Sequence, residues 1–157
     1  MIRAVLACDE NWGIGKDGTL PWPHNSADLQ WFKKMTVRHI VVMGRNTWES
    51  LPNKPLPKRK NMVVSNSMQP QNNVEVVPTH IYKSRLATLS RTEAVCIIGG
   101  AQLVNKSLDI IDEIWLSRIE GSYDCDAVLP GNAILEKFEL DSVGPETDVY
   151  IEKWIRK

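Results

Sequence analysis

Few of the features that sort a chain by composition are present in this 157-residue sequence. No charge of one sign is in excess: 19 lysines and arginines offset 19 aspartates and glutamates, and no run of like charge exceeds "PKRK" at 57–60. The basic stripe that would neutralise nucleic-acid phosphates or an anionic membrane surface is missing, so a small-molecule partner is expected, with no nucleic acid and no membrane. Cysteine is scarce. Cys8, Cys96 and Cys125 form an odd set without CxxC spacing, each in or beside an apolar stretch, which predicts reduced thiols and no structural metal. The three histidines, His24, His39 and His80, stand apart from one another, so no metal cluster is expected from them. No apolar run approaches the ~20 residues that span a bilayer. The start, "MIRAVLACDENWG", has too short an apolar stretch and too early an acidic pair for a signal peptide. A cytoplasmic protein is expected. With no repeat, low-complexity tract or long linker, 1–157 reads as a single domain long enough to bury a sizeable core.

What is there is alternation. Near-continuous apolar runs at 2–8, 39–44, 61–65, 74–78, 94–99 and 113–120 predict strands buried on both faces of a mainly parallel sheet. Helical patterns fall between them at 26–36, 46–51, 79–89 and 101–108, which argues an α/β fold. After Pro130-Gly131 the stretches 137–143 and 148–156, joined through Gly144-Pro145, predict an antiparallel hairpin finishing the sheet edge. The segment from Cys8 to Asn25 differs again, with Gly13, Gly15, Gly18, Pro21 and Pro23 packed among Trp12, Ile14, Leu20 and Trp22. A loop of this length with large apolar side chains is either a lid or a surface Ω-loop packed on itself.

Four stretches could carry chemistry. In "VVMGRNTWES" (41–50) Gly44 ends a buried strand just before a helix that Asn46 or Thr47 could cap. Such a junction presents free backbone N–H groups to a phosphate, and Arg45 adds a forked cation. "CIIGGAQL" (96–103) repeats the arrangement with Gly99 and Gly100. Glycine at a tight βα turn also serves sterics alone, but two such junctions together suit a two-phosphate ligand such as a dinucleotide. Neither fits GxGxxG or the GxxxxGK[ST] phosphate loop. "KPLPKRKN" (54–61) is either a rigid turn with solvated charges or an apolar rim with Arg59 behind it, suited to an aromatic ligand ending in a carboxylate.

Asp28 is the fourth. On a helix over 26–36, Trp31, Phe32 and Met35 share one arc, Gln30, Lys33 and Lys34 the other, and Asp28 lands in the middle of the apolar one. With Asn25 as N-cap, Asp28 would sit at the third helical position, where a carboxylate bonds back to the cap and favours the dipole. Capping leaves its inward direction unexplained, because burial raises the cost of the charge. A ligand offering two N–H donors would satisfy it.

In order along the chain, "GIGKDGTLPW", "DLQWFKKMT", "VVMGRNTWESLP", "PLPKRKNMVVS" and "IIGGAQL" resemble the dihydrofolate reductase family, from the first strand through "WLSRIE" and more loosely to the C-terminus. The resemblance implies an α/β fold with a mainly parallel central sheet of about eight strands, flanking helices and an antiparallel C-terminal hairpin. It also implies an adenosine-binding subdomain over roughly 39–90. Asp28 then matches the carboxylate that grips the pteridine through its ring N–H and 2-amino group. Ser117 takes the place of a threonine that hydrogen-bonds that carboxylate, and Trp22 helps order a water nearby. Val5, Leu29, Phe32, Leu51 and Leu56 would line the pocket for the pteridine and p-aminobenzoyl groups, with Arg59 on the glutamate α-carboxylate.

Residues 9–24 resemble a lid that closes over nicotinamide, with Ala7 and Ile14 offering backbone contacts, Gly15 and Leu20 beside them, and Asp126 as its latch. The implied cofactor is NADPH. Its contacts would be Gly44, Arg45, Asn46 and Thr47, then Ser65 and Asn66 near the adenosine 2′-phosphate, then Ile98, Gly99, Gly100, Ala101, Gln102 and Leu103 at the pyrophosphate. The implied reaction is hydride transfer to C6 of 7,8-dihydrofolate with protonation at N5, in a monomer that needs no metal. Two other readings share parts of the pattern: a same-fold reductase of a pyrimidine intermediate in flavin synthesis, and a non-catalytic component that binds folate or dinucleotide. Three positions depart from the family pattern. Val104 stands where a tyrosine usually flanks the nicotinamide, Lys54 where some members carry an arginine, and Pro23-His24-Asn25 lengthens the join between lid and helix by one residue.

Overall fold

The apolar runs become the inner strands of one sheet because β-branched residues on both sides of the chain need two covered faces. The computed structural model describes residues 1–18, 20–22, 26–146 and 149–157. Its elements are β1 (Ile2–Cys8), β2 (Gly13–Gly15), α1 (Ser26–Thr36), β3 (Ile40–Gly44), α2 (Arg45–Ser50), β4 (Lys60–Val64), β5 (Val74–Val77) and α3 (Tyr82–Leu89). There follow β6 (Val95–Gly99), α4 (Ala101–Ser107), β7 (Glu113–Arg118), β8 (Ala127–Val128), α5 (Gly131–Lys137), β9 (Phe138–Glu146) and β10 (Val149–Arg156). Eight strands lie in the order β5-β4-β3-β6-β1-β7-β10-β9, parallel except that β10 runs antiparallel to both β7 and β9. The α/β sheet with an antiparallel C-terminal pair is as expected.

Side chains alternate between two cores. Ile40 and Val42 point to the face covered by Leu86 of α3, Val104 of α4 and Ile134 of α5. Val5, Val41, Met43, Val63 and Cys96 point to the other, covered by Trp31 of α1 and Trp48 of α2. On the first face the Tyr82 hydroxyl meets Ser107 Oγ at 3.0 Å, tying α3 to the end of α4. Tyr82→Phe should lower stability by about 1 kcal/mol, read from the urea midpoint, because Ser107 would stay buried with one partner fewer.

Several local expectations are corrected. Helix α2 begins at Arg45 with Gly44 as its cap residue and no side-chain cap, so neither Asn46 nor Thr47 caps it. Helix α3 starts at Tyr82 rather than 79: residues 79–81 form a turn closed by Ile81 N–H on Pro78 O, and Ile81, outside helical geometry, is the cap residue. Helix α5 and the short pair β2 and β8 were not expected; two or three residues of strand, or seven of helix, are too short for a period to show. Gly144-Pro145 is not the hairpin turn but part of β9, opposite Ile151 and Tyr150. β9 is a sheet edge, where a proline's missing N–H costs no ladder bond. The proposed cap Asn25 and the lengthened join at Pro23-His24-Asn25 lie outside the described residues.

Candidate functional site

Asp28 sits in the first turn of α1 and is only 8% exposed. The helix lies against β1 and β10, so its inward arc, with Trp31 buried and Phe32 and Met35 half-buried, meets the sheet. Val5, Phe32, Met35, Leu51 and Leu56 belong to one apolar cluster beside it. Leu29, one step round the helix from Asp28, is half-exposed and stands outside that cluster. Burial pushes the Asp28 carboxyl up from its ordinary value, and Ser117 opposes part of the rise, although Ser117 Oγ completes no strict hydrogen bond. Ser117 is itself buried on β7, in register with Ala7 of β1 and Ile151 of β10.

The 55–59 turn brings Leu56 to this cluster. Asn61, a buried polar residue that sequence reading missed, holds the turn in shape. Its Oδ1 accepts Leu56 N–H at 2.9 Å and its Nδ2 donates to the carbonyls of Leu56 and Arg59 at 3.0 and 3.1 Å. Arg59 is thereby turned toward α1: Nε donates to Pro57 O at 3.0 Å and Nη1 to Thr36 Oγ1 at 2.9 Å. Its flanking burial lowers the guanidinium pKa. Thr36 Oγ1 donates in turn to Phe32 O at 2.8 Å, so the arginine is tied to the helix that carries Asp28.

The two glycine junctions come together because β3 and β6 are neighbours. Gly99, at φ +132°, requires glycine, and it is joined to Gly100 by a cis peptide. A Cβ at either glycine would meet Thr47 Oγ1 at 3.5 Å, and one at Gly44 would approach Gly100 N at 3.9 Å. This is an open backbone cradle at the carboxyl ends of adjacent strands, of the kind that accepts phosphates. Helices α2 and α4 have only six and seven residues, so the cradle rests on backbone and side chains more than on a dipole. Arg45 stands at its side, with Nε on Glu49 at 2.9 Å and Nη1 on Ser67 Oγ at 3.1 Å.

Ser65 Oγ accepts the N–H groups of Ser67 and Met68, and Asn66 exchanges hydrogen bonds with Thr79. Ser67 was overlooked, although the "SNS" run that holds Ser65 and Asn66 could have shown it. Ile98 and Ala101 are half-buried and Gln102 is exposed, whereas Leu103 is turned into the core.

The arc after β1 is held by its own contacts. β2 pairs with β8, and Asp126 clasps the arc twice: Asp17 N–H donates to its Oδ2 at 3.0 Å and its own N–H to Gly15 O at 3.1 Å. Ala7, Ile14 and Gly15 are half-buried, Leu20 is exposed, and Trp22 is buried edge-on against Tyr123 at 5.9 Å between ring centroids.

A dihydrofolate reductase family model matches residues 1–148. The chain is 40% identical over 150 residues to the type 3 dihydrofolate reductase of Salmonella typhimurium, covering 94% of this chain and 90% of that one. It is 38% identical to the Bacillus subtilis dihydrofolate reductase over 130 residues, 83% of this chain and 76% of the relative. This chain belongs to the dihydrofolate reductase family. A solved dihydrofolate reductase from Enterococcus faecalis, complexed with NADP(H) and RAB-propyl, superposes with a TM-score of 0.84 at 27% identity, over 99% of this chain and 96% of that one.

Against that dihydrofolate reductase frame the departures take physical form. Val104, on the inner face of α4, is wholly buried and offers neither ring nor hydroxyl. Lys54 folds back on α2, with Nζ donating to Glu49 O at 3.2 Å and lying 6.0 Å from the Trp48 ring. A cleft of about 500 Å³ at the 55–60 turn is lined by Leu56, Arg59, Met62, Val74 and Leu89 and includes neither Asp28 nor the glycine pair. Among the described residues no cluster of metal-ligating side chains forms, no helix is long and apolar enough to cross a membrane, and the three cysteines are free.

Proposed function

We propose that this chain is a reductase that converts 7,8-dihydrofolate to 5,6,7,8-tetrahydrofolate with NADPH. The observation that carries the reading is a buried carboxylate, Asp28, facing Ser117 beside an apolar cluster in the same fold that presents an open glycine cradle. A pocket for flavin-pathway pyrimidines would share the cradle but has no need of Asp28 set among Trp31, Phe32 and Met35. A purely binding component has no need of a latched lid.

NADPH, when bound, supplies the hydride that goes to C6. The cradle residues fit it: Gly44, Gly99, Gly100 and Thr47 leave room for the pyrophosphate, Arg45 with Asn46, Ser65 and Asn66 flanks the adenosine phosphate, and Ile98, Ala101 and Gln102 line the approach. Asp28 receives the ring N–H and 2-amino group, holds the pteridine in one orientation, and favours the protonated ring on which N5 gains its proton. Val5, Phe32, Leu51 and Leu56 exclude water from the ring, with Leu29 at the mouth, and Arg59 binds the tail carboxylate. Ala7 of β1 and Ile14, Gly15 and Leu20 of the lid meet the nicotinamide, and Trp22 helps order a water near the pteridine. The 39–90 segment, which carries Arg45, Ser65 and Asn66, serves as the adenosine-binding subdomain. The chain acts as a cytoplasmic monomer in this reading, and its balanced charge supports a small-molecule rather than a nucleic-acid partner. Mixing protein, NADPH and dihydrofolate and following the reduced nicotinamide absorbance tests the reading; no loss of absorbance refutes it.

Arg45→Leu should weaken NADPH about tenfold while changing NADH by less than about twofold, because only NADPH carries the 2′-phosphate. The contact is exposed and salt-screened, which caps its size. Equal losses for both cofactors would remove Arg45 from the phosphate site.

A further inference from the structure

Asp9 is a carboxylate only 1% exposed that the chemistry above does not use. It follows β1 directly, and its two oxygens serve two different segments. Oδ1 accepts the N–H groups of Asn11 at 2.9 Å and Gly13 at 2.8 Å, both at the base of the lid. Oδ2 accepts the Tyr123 N–H at 3.0 Å and the Cys125 thiol at 3.6 Å, both between β7 and β8. Burial pushes this carboxyl up, but the N–H groups of Gly13, Tyr123 and Asn11 outweigh it and hold it below the ordinary aspartate value.

The backbone reinforces the same joint, with Asp9 N–H on Gly13 O at 2.9 Å and Glu10 N–H on Gly121 O at 3.1 Å. Arg118, fixed by Glu152, donates to Asp9 O at 3.0 Å. Gly13 is where the two segments press together. A Cβ built there would fall 2.5 Å from Cys125 Sγ and 3.0 Å from Asp9 Oδ1. Two carboxylates therefore pin one arc, Asp9 at Gly13 and Asp126 at Asp17, and the lid residues Ile14 and Gly15 lie between them.

We infer that Asp9 is a positioning residue of the reductase. It fixes β2 against the 121–128 segment and so holds the lid backbone at Ile14 and Gly15 where it meets the nicotinamide. The inference rests on the reductase reading given above. A carboxylate is required because both of its oxygens face donors, whereas an asparagine would turn an N–H toward one of the two segments and release it.

The test uses the full chain with Asp9→Asn, Gly13→Ala, and Gly13→Ala combined with Cys125→Gly. NADPH affinity is read by tryptophan fluorescence, and amide exchange is followed along the chain. Asp9→Asn should weaken NADPH at least about tenfold while the KM for dihydrofolate stays within about twofold. Exchange at the amides of Asn11, Gly13 and Tyr123 should quicken while those of β3 and β6 keep their protection. Gly13→Ala should weaken NADPH in the same way, and adding Cys125→Gly should recover most of the loss by removing the two closest contacts, Cys125 Sγ and Cβ. Unchanged NADPH affinity in Asp9→Asn overturns the inference, and so does a loss that accompanies faster exchange throughout β3 and β6, or a Gly13→Ala defect that Cys125→Gly does not relieve. If the unmodified chain binds NADPH without reducing dihydrofolate, the reductase reading fails and the affinity comparison still decides what Asp9 does.

Discussion

Asp28→Asn should give a well-folded protein whose kcat/KM for dihydrofolate at neutral pH has fallen at least ~100-fold, about 2.7 kcal/mol of transition-state stabilisation. Asparagine keeps the shape and one acceptor but cannot favour a protonated pteridine. The apo protein should keep or gain stability. The folded Asp28 carboxyl, pushed up by burial, holds its proton to a higher pH than the unfolded one. As pH rises from the ordinary carboxylate range through that raised value, the folded state binds the extra proton and then loses it, so Asp28 subtracts stability above this interval and nothing below it. Removing the charge should therefore raise Tm at neutral pH, with the gain vanishing in acid. Activity moves in the same sense: the parent enzyme should slow as pH rises, and the variant should recover at low pH, where substrate arrives already protonated. A variant that loses stability yet keeps full activity from pH 5 to 9 would make Asp28 a helix cap and sink the mechanism.

Arg59→Ala should raise the KM for dihydrofolate strongly, on the order of 1.5–3 kcal/mol in binding, while leaving NADPH affinity and kcat nearly unchanged. The size follows from placement: Arg59 is half-buried and held by Pro57 O and Thr36 Oγ1, so its charge meets a tail carboxylate with less solvent screening than the exposed Arg45 can offer. Little stability should be lost, because Thr36 Oγ1 retains Phe32 O as acceptor. Comparing dihydrofolate with a dihydropterin that lacks the glutamate separates the two possible roles. Equal damage to both substrates would make Arg59 a structural residue that merely shapes the pocket.

The sheet and most of its helices were legible because their signals are local. Val41, Val42 and Met43 can only be covered on both faces, Gly44 and Gly99-Gly100 mark where buried strands end, and the arc of Asp28, Trp31, Phe32 and Met35 is a matter of helical period. The family likeness added roles to those same positions. Errors gathered where the period was too short to read, at α5, β2 and β8, or where an edge strand tolerated Gly144-Pro145 that elsewhere would have turned the chain.

By itself, the order of residues determined the α/β architecture, the inward carboxylate at Asp28, the glycine junctions and the even balance of charge. Only the tertiary structure decided which of these meet. It set Ser117 opposite Ala7 through strand register, brought Gly44 beside Gly100 by placing β6 next to β3, and turned Arg59 onto Thr36 through Asn61. It also buried Asp9, 114 residues from Tyr123, as the joint between the lid and the segment that holds it. The reason is physical: propensity and periodicity act over a few residues, whereas a buried polar group is defined by whichever distant donors the packing brings to it.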